Sequence, residues 1–344
     1  MLKFFVTSFD KSRAICNIVN DKILRNLVKF CGEDFQRVRD INDSNVIFVI
    51  HNYRKDYIFD SELAKVVTKL NKPIIMFDFV EAGVHKFPSI FAGIRGIERY
   101  SNKSFEGFFD FFATQLPNVK LYFKRELLES EDLTKFPFVV KPIEYSSRLP
   151  KYNKDTKEEF NKRLIDIYMV WGYSNYARPL LHAELMKRQA YRSSSQLICS
   201  HSYLYRTTTP HKVVLIYTPY FLREPLSVIL EAQRNTKISI SLNGNGQKCF
   251  RHSESPWNSI MAMKDTNLVW TYPWIDGKNC IRLPVVGETR KLDEVASVKK
   301  MDCYLNQPDK LYQIYLEGSK TMDDYTESHY VPKYIAKEIL EVMK

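Results

Sequence analysis

The chain has 344 residues, 44% hydrophobic and 14% aromatic, which excludes an intrinsically disordered protein and predicts two domains of similar size. Its 51 Lys and Arg against 40 Asp and Glu give a net charge of +11, which favours an anionic partner such as nucleic acid, nucleotide, anionic glycan or acidic membrane surface, with ordinary solubility charge as the competing interpretation. The six scattered Cys lack zinc-type spacing, so we expect reduced thiols. No signal peptide or membrane-length apolar stretch is found, so we expect a cytoplasmic protein with no integral membrane segment, and peripheral membrane contact is left open.

The first 140 residues alternate short apolar runs with amphipathic segments. Strands are predicted at residues 2 to 9, 44 to 52 and 72 to 83, and helices at 20 to 33 and 61 to 72. Strands that alternate with helices in this way are typical of a doubly wound parallel sheet.

Ligands of such sheets bind at the carboxyl ends of the strands, so the polar residues that follow each predicted strand are candidate site residues. These candidates are Thr7, Ser8, Asp10, His51, Asn52, Asp78 and Glu81.

The second half repeats the same pattern after a polar, lysine-rich stretch. Strands are predicted at 164 to 175, 212 to 220 and 236 to 246, with two short strands in "NLVWTYPW" and "NCIRLP", and the C-terminal end is predicted helical with a break near Pro332. We therefore predict an α/β fold with two Rossmann-like domains. The predicted bounds are 1–145 for the N-terminal domain, 146–163 for a linker, 164–325 for the C-terminal domain and 326–344 for a helix that packs back on the N-terminal domain.

The stretch "SLNGNGQKCFRHSESPWNSIM" contains a glycine pattern that begins like a dinucleotide fingerprint. Gly244 and Gly246 have the required spacing, but Cys249 stands where a third glycine would be needed. The spacing of a phosphate-binding P-loop is absent too. This failure disfavours a kinase or a dehydrogenase.

Two helix starts are compatible with this stretch, one before Lys248 and one at Pro256 with Ser255 as its cap. With the second start, Arg251 and Glu254 lie in the turn before a helix N-terminus, where a phosphate is favoured. Arg251 would then pair with a diphosphate, and Glu254 would accept hydrogen bonds from a ribose diol. A solvated surface pair of small energetic value is the alternative.

The second half resembles the nucleotide-binding half of GT-B glycosyltransferases of bacterial and phage type. The similar segments are "RLIDIYMVWGYSNYARPLL" and "SISLNGNGQKCFRHSESPWNSIMA". The resemblance covers residues 163 to 285, whereas the first 140 residues are similar in architecture only. It implies two Rossmann-like domains that face each other across a cleft.

The resemblance also implies site residues. The ribose-binding Glu of the family corresponds to Glu254, and the neighbouring basic residue corresponds to Arg251. Family members commonly place Gly four or five residues after this Glu, where this chain has Asn258 and Ser259. The full donor-binding set that we predict is Arg251, Glu254, Gly172, Tyr173, Ser174, Lys248, Ser253, Asn258, Tyr217 and Tyr220.

Catalysis of sugar transfer requires stabilisation of the departing diphosphate, and inversion also requires a base. The resemblance places the acceptor on the first domain, so the candidate bases are His51, Asp10, Asp78 and Glu81. His51 has the most suitable ordinary pKa, although a single His after a strand is more often structural. No D-x-D triplet is present, so neither a metal nor another cofactor is predicted.

The resemblance therefore implies a glycosyltransferase that uses a nucleoside-diphosphate sugar, with UDP as the expected nucleotide. A hydroxymethylated base in DNA and a surface glycan or lipid carrier are the two acceptor classes that the charge leaves open. The alternative is a non-catalytic nucleic-acid-binding α/β protein.

Overall fold

The computed structural model describes residues 1–8, 18–51, 61–79, 116–144 (except 128, 130, 131 and 135), 153–171, 177–190, 203–206, 213–217, 231–243, 248, 251–326 (except 289) and 330–344. The chain forms two compact units. The first consists of Met1–Ser146, Asn267–Thr271 and Tyr325–Lys344, and the second of Ser147–Thr266 and Tyr272–Asp324.

The strands and helices are numbered in chain order. The strands are β1 (Leu2–Thr7), β2 (Phe35–Arg37), β3 (Val46–His51), β4 (Ile74–Asp78), β5 (Val119–Lys124), β6 (Val139–Pro142), β7 (Ile165–Trp171), β8 (Tyr203–Arg206), β9 (Val213–Tyr217), β10 (Thr236–Ser241), β11 (Ile260–Lys264), β12 (Ile281–Leu283), β13 (Val285–Val286) and β14 (Lys291–Leu292). The helices are α1 (Ile18–Phe30), α2 (Ser61–Lys69), α3 (Lys157–Asn161), α4 (Ala177–Ala190), α5 (Arg251–Asn258), α6 (Glu294–Leu305), α7 (Pro308–Thr326) and α8 (Tyr330–Val342).

The first unit is built on a parallel six-stranded sheet with the order β2-β1-β3-β4-β5-β6. Continuous apolar runs form its central strands, as expected for strands that are buried on both faces. An aromatic row crosses four of them, because the ring centroids of Phe4 and Phe48 are 4.4 Å apart, those of Phe48 and Phe77 5.4 Å, and those of Phe77 and Phe123 5.2 Å. The strand order reverses between β1 and β3, so their carboxyl ends mark the expected ligand position of this unit.

The C-terminal helix α8 belongs to this first unit. Tyr334 donates a hydrogen bond to the carbonyl oxygen of Pro142 over 3.1 Å, and its ring lies 6.2 Å from that of Phe123. Pro332 is in the first turn of α8, where a proline does not disturb the helix.

The second unit contains a six-stranded sheet with the order β12-β11-β10-β7-β9-β8. All neighbouring strands are parallel except β8, which pairs antiparallel with β9 at the edge. Its core is formed by apolar residues of the sheet and of α4, α6 and α7, among them Ile167, Leu181, Ile238, Met301 and Ile314. The prediction of an α/β fold with two Rossmann-like halves is therefore confirmed.

The residues that we predicted as a linker contain the short helix α3. Thr156 and Glu159 cap this helix reciprocally, and Phe160 is fully buried in the core of the second unit. Arg163 donates hydrogen bonds of 2.5 Å to the carbonyl oxygens of Thr236 and Asn258. Residues 153–163 thus pack as a structural part of the second unit.

The segment "NLVWTYPW" does not form one of the named strands. Instead, the backbone of Asn267–Thr271 pairs with loop residues of the first unit, since Val269 donates to the carbonyl oxygen of Leu127 over 2.9 Å. The backbone N–H of Thr271 donates to the carboxylate of Glu144, also over 2.9 Å. The segment therefore has the apolar composition of a strand, but its backbone hydrogen bonds are made with loop residues.

Candidate functional site

The strand order of the second unit reverses between β7 and β10, which marks the position where ligands of doubly wound sheets bind. Arg178, in the first turn of α4, donates a hydrogen bond of 3.0 Å to the carbonyl oxygen of Leu242, which directly follows β10. Both residues are buried. This contact connects the segment after β7 with the segment after β10.

The helix α5 is held on β10 by hydroxyl groups. The Oγ atoms of Ser241 and Ser255 are 3.1 Å apart, and Ser259 donates to Ser239 over 2.6 Å. Gln233 adds a hydrogen bond of 3.4 Å to Ser255. Ser239 and Ser241 share one face of β10 because side chains alternate along a strand, and their small size permits close approach of the helix.

The helix α5 begins at Arg251 and includes Pro256 as its sixth residue, so neither of the two predicted helix starts is correct. Arg251 and Glu254 are therefore in the first turn rather than in the loop before it. The hydroxyl of Ser255 contacts Ser241 and does not cap a helix that begins at Pro256. This tertiary contact is not visible in the local sequence.

Glu254 is 4% exposed, so it is not a solvated surface residue. The whole helix from His252 to Asn258 is buried, although its sequence is mostly polar. The peptide dipoles of a helix favour negative charge at its first turn. Lys248, which precedes the helix, is also buried at 2% exposure and brings a positive charge to the same connection.

Asn243 is a further polar residue of this region that the sequence did not single out. Its side chain is 1% exposed, and neither its oxygen nor its nitrogen has a hydrogen-bond partner among the described residues. Continued alternation places it on the face of Ser239 and Ser241, next to the N-terminal end of α5. A buried amide without partners costs about 1 to 3 kcal/mol, so this position favours a bound polar group.

The predicted donor residues are only partly brought together. Ser253 is buried in the first turn with Glu254, but Asn258 is at the opposite end of α5, about 10 Å from Arg251 along the helix axis. Tyr217 ends β9, where its backbone is aligned with that of Trp171. Gly172, Tyr173, Ser174, Tyr220, Gly244 and Gly246 lie outside the described residues.

In the first unit, Asp78 ends β4 and is buried in an ion-paired cluster. Its Oδ2 atom accepts a hydrogen bond of 2.7 Å from Tyr122 and is 3.0 Å from the ammonium of Lys124. These contacts are typical of a structural carboxylate. The adjacent Arg125 and Glu126 form a second buried ion pair at 3.0 Å.

The other candidate bases are less completely described. The backbone of His51 ends β3 and is aligned with that of Asp78 on β4. Thr7 and Ser8 are buried at the end of β1. Asp10, Asn52 and Glu81 lie outside the described residues.

His182 lies one helical turn after Arg178 on α4, near the position where the strand order reverses. Burial lowers its pKa to about 4, so the imidazole is neutral at neutral pH. No periodicity in the sequence distinguishes this His from a surface residue of a helix.

Two further features concern metal binding and membrane insertion of the described residues. No group of three or more His, Cys, Asp or Glu side chains there is arranged to hold a metal ion. In the same residues, no helix has both the length and the apolar character needed to cross a membrane.

Comparison with known proteins gives no match to a protein-family model or to a curated protein. Among solved structures, one described as trehalose-6-phosphate from E. coli bound with UDP-2-fluoro glucose is 12% identical, with a TM-score of 0.48 over 92% of this chain and 77% of that chain. The N-terminal domain of Candida albicans trehalose-6-phosphate phosphatase is 8% identical, with a TM-score of 0.47 over 99% and 97%. The spinosyn forosaminyltransferase SpnP is 10% identical, with a TM-score of 0.40 over 100% of both chains. Similarity of this degree does not assign a family, a reaction or a substrate to this chain.

Proposed function

We propose that this chain is a glycosyltransferase of GT-B type that binds a nucleoside-diphosphate sugar at the carboxyl end of β10 in the second unit. The observation that carries the proposal is the buried first turn of α5, where Glu254 is 4% exposed beside the switch between β7 and β10. A surface connection would expose these polar side chains to water. Their burial indicates a built polar site, because buried charges are retained where they have specific partners.

Each charged residue of this region has a role that suits one part of a sugar nucleotide. Arg251 and Lys248 supply positive charge for the diphosphate, together with the N-terminal peptide groups of α5. Glu254 would repel a phosphate but accepts hydrogen bonds well from hydroxyl groups, so it is assigned to the ribose diol. Asn243 offers both a donor and an acceptor, which suits a hydroxyl pair or a base edge.

The chemistry that follows is displacement of the diphosphate from the anomeric carbon by an acceptor hydroxyl. Negative charge grows on the departing diphosphate, and Arg251, Lys248 and the helix N-terminus stabilise it. An inverting reaction also needs a base, for which we propose His51, Asp10 or Glu81 of the first unit. Asp78 is the weakest candidate, because Lys124 and Tyr122 already hold its Oδ2 atom.

The proposed acceptor is anionic, and a hydroxymethylated base in duplex DNA is the first to be tested. Its support is the net charge of +11. A gel shift with hydroxymethylated duplex DNA at two salt concentrations tests this part, since phosphate contacts weaken as salt increases. If no shift occurs at low salt, a surface glycan or lipid carrier becomes the acceptor to examine.

The competing function is a nucleic-acid-binding protein without turnover, which the same charge would serve. Calorimetric titration with a panel of sugar nucleotides separates the two functions. We expect one member of the panel to bind and Glu254→Gln to weaken that binding. If no sugar nucleotide binds to the folded protein, the glycosyltransferase proposal is wrong.

A further inference from the structure

The strand β12 lies at one edge of the sheet of the second unit, so one side of its backbone has no neighbour among the described strands. Such an edge can pair with a strand of another chain, and natural proteins close it by specific means. On the inner side, Leu283 accepts a hydrogen bond of 3.1 Å from the N–H of Asp265. Because backbone groups alternate in direction along a strand, those of Arg282 and Pro284 point to the outer side.

Both outer backbone groups of Arg282 are bound by side chains. Its N–H donates to Oδ1 of Asp276 over 2.9 Å, and its carbonyl oxygen accepts a hydrogen bond of 2.8 Å from Nζ of Lys300. The other oxygen of Asp276 is 2.5 Å from the same ammonium, so a single ion pair covers both groups. Side chains cannot continue a sheet, and this position is therefore closed to strand pairing.

The outer groups on either side of Arg282 are closed by backbone contacts. The carbonyl oxygen of Cys280 accepts a hydrogen bond from the N–H of Gly277, and that of Pro284 accepts one from the N–H of Asp293, both over 2.9 Å. Pro284 itself has no N–H to offer. Every outward carbonyl group from Cys280 to Pro284 therefore has a donor within the second unit.

The turn that covers the edge is fixed on the helices α6 and α7. The Nδ2 atom of Asn279 donates to Thr321 of α7 over 3.0 Å, and a Cβ atom on Gly318 of the same helix would lie 2.7 Å from the carbonyl oxygen of Asn279. A Cβ atom on Gly277 would lie 2.7 Å from the hydroxyl oxygen of Tyr304 on α6. Gly277 also has a φ angle of 68°, which glycine adopts readily. Close packing and backbone conformation thus hold the turn in one position.

We propose that residues 275–280 and Lys300 form an edge cap that prevents β12 from pairing with the β12 strand of a second copy of this chain. Identical edges pair antiparallel about a twofold axis, so every copy in solution offers a matching strand. The segment is suited to such pairing, because Ile281, Val285 and Val286 are β-branched and Val286 is 51% exposed. The proposal does not rest on the proposed function, since β11 separates β12 from β10.

Hydrogen exchange of the unaltered protein tests the edge cap without any substitution. The amide of Arg282 should exchange slowly, because its hydrogen is bound by Asp276 although it faces away from β11. The comparison is the amide of Glu288, an exposed residue in the turn between β13 and β14. Exchange of Arg282 as fast as that of Glu288 would show that the edge is open, and the proposal would be wrong.

A double variant opens the edge. Asp276→Ala combined with Lys300→Met removes both side-chain contacts and leaves the net charge of +11 unchanged. The amide of Arg282 should then exchange at least about tenfold faster at low protein concentration. The sedimentation coefficient should rise with protein concentration, as expected for self-association. The matched control, Asp309→Ala combined with Lys157→Met, breaks an exposed ion pair of the same residue types at 2.7 Å and should sediment as the unaltered protein does.

A third substitution shows whether the association uses the edge of β12. Arg282→Pro in the double variant removes the outward N–H and should abolish the association, since an edge strand tolerates proline where its N–H would face outward. Arg282→Met in the same background keeps the N–H, so the association should persist.

Two results would overturn the proposal. One is association that survives Arg282→Pro, because the copies would then meet at another surface. The other is a folded double variant that does not associate, whether or not the amide of Arg282 exchanges faster. Denaturation curves establish that each variant is folded. Lys300→Met alone opens the carbonyl oxygen of Arg282 and gives the same comparison if the double variant does not fold.

Discussion

Arg178 donates a hydrogen bond from Nη2 to the carbonyl oxygen of Leu242 over 3.0 Å, and both residues are buried. The contact spans 64 residues of sequence and joins the two connections that flank the proposed sugar-nucleotide site. Because a guanidinium keeps its charge at all accessible pH values, it also brings fixed positive charge to the end of β10. Arg178 therefore supports the geometry of this region and its electrostatics together.

Arg178→Met should lower the free energy of unfolding by about 1 to 3 kcal/mol, because it leaves the buried carbonyl oxygen of Leu242 without this donor. Chemical denaturation of the variant and of the unaltered protein measures the difference. Arg234, which is exposed, provides the control variant Arg234→Met, with an expected change below about 0.5 kcal/mol. Equal losses in the two variants would contradict a specific role for the buried hydrogen bond.

Glu254→Gln tests the assignment of this carboxylate to a ribose diol. The variant should bind UDP-sugars at least about tenfold more weakly, because an amide is a poorer acceptor for two hydroxyl groups than a carboxylate. The loss should be much smaller with a 2′-deoxy nucleotide sugar, which lacks one of the hydroxyls. Calorimetry with both ligands gives the comparison.

The exposed Glu231 supplies the matched control, and Glu231→Gln should leave both affinities unchanged. Equal weakening of the ribose and deoxyribose ligands by Glu254→Gln would show that Glu254 acts elsewhere than on the diol. The free energy of unfolding of each variant should be measured alongside, so that a loss of structure is separated from a loss of binding.

The alternation of strands and helices could be predicted from the sequence because apolar runs and helical spacing are local patterns. The runs "VIFVIH" and "IIMFD" predict buried parallel strands, and β3 and β4 lie within the predicted bounds. The segment around Phe160 and Arg163 was predicted as a linker because its polar composition conceals two residues with distant partners. Arg163 contacts the carbonyl oxygen of Asn258, 95 residues away, and no local pattern encodes such a contact.

The same distinction applies to the candidate site. The spacing of Arg251 and Glu254 made this segment a candidate site, but their position in the first turn of a helix that packs through Ser255 on Ser241 is a tertiary feature. The importance of Asn243 depends on burial without partners, which is a tertiary property. Residue types and spacing could therefore suggest a candidate region, whereas the burial of its side chains follows only from the packing of α5 on β10.

The low pKa of His182 predicts a pH dependence of stability. Burial lowers the pKa from its ordinary value of 6.5 to about 4 in the folded protein, so the unfolded chain binds a proton first as the pH falls. Stability from this group is complete above pH 6.5 and decreases between pH 6.5 and about 4. His182→Gln should remove this part of the decrease.

Denaturation curves of both proteins at pH values between about 6.5 and 5 isolate the effect, because most carboxylates remain ionised there. As the pH falls through this range, the free energy of unfolding of the unaltered protein should decrease more steeply than that of His182→Gln. Parallel pH profiles for the two proteins would show that the imidazole is solvated in the folded state.

Asn243→Leu should leave the free energy of unfolding unchanged or raise it, since the replacement removes an amide whose polar atoms have no partners in the described structure. The chain contains a closely matched control in Asn279, which is also buried. Its Oδ1 accepts a hydrogen bond of 2.7 Å from the N–H of Ile275, and its Nδ2 donates to Pro273 and Thr321 over 3.1 and 3.0 Å. Asn279→Leu should therefore lower the free energy of unfolding by about 2 kcal/mol or more.

The two variants should differ in the opposite way in their affinity for a sugar nucleotide. Asn243→Leu should weaken donor binding at least about tenfold, because the ligand loses a buried hydrogen-bonding partner, while Asn279→Leu should have little effect in protein that remains folded. Denaturation curves and calorimetric titrations of both variants measure the two effects. A loss of stability in Asn243→Leu as large as that in Asn279→Leu, with unchanged donor affinity, would assign the amide of Asn243 to the scaffold. Unchanged or increased stability together with weakened donor affinity in Asn243→Leu would identify an amide that lacks hydrogen bonds in the free protein and gains them from the ligand.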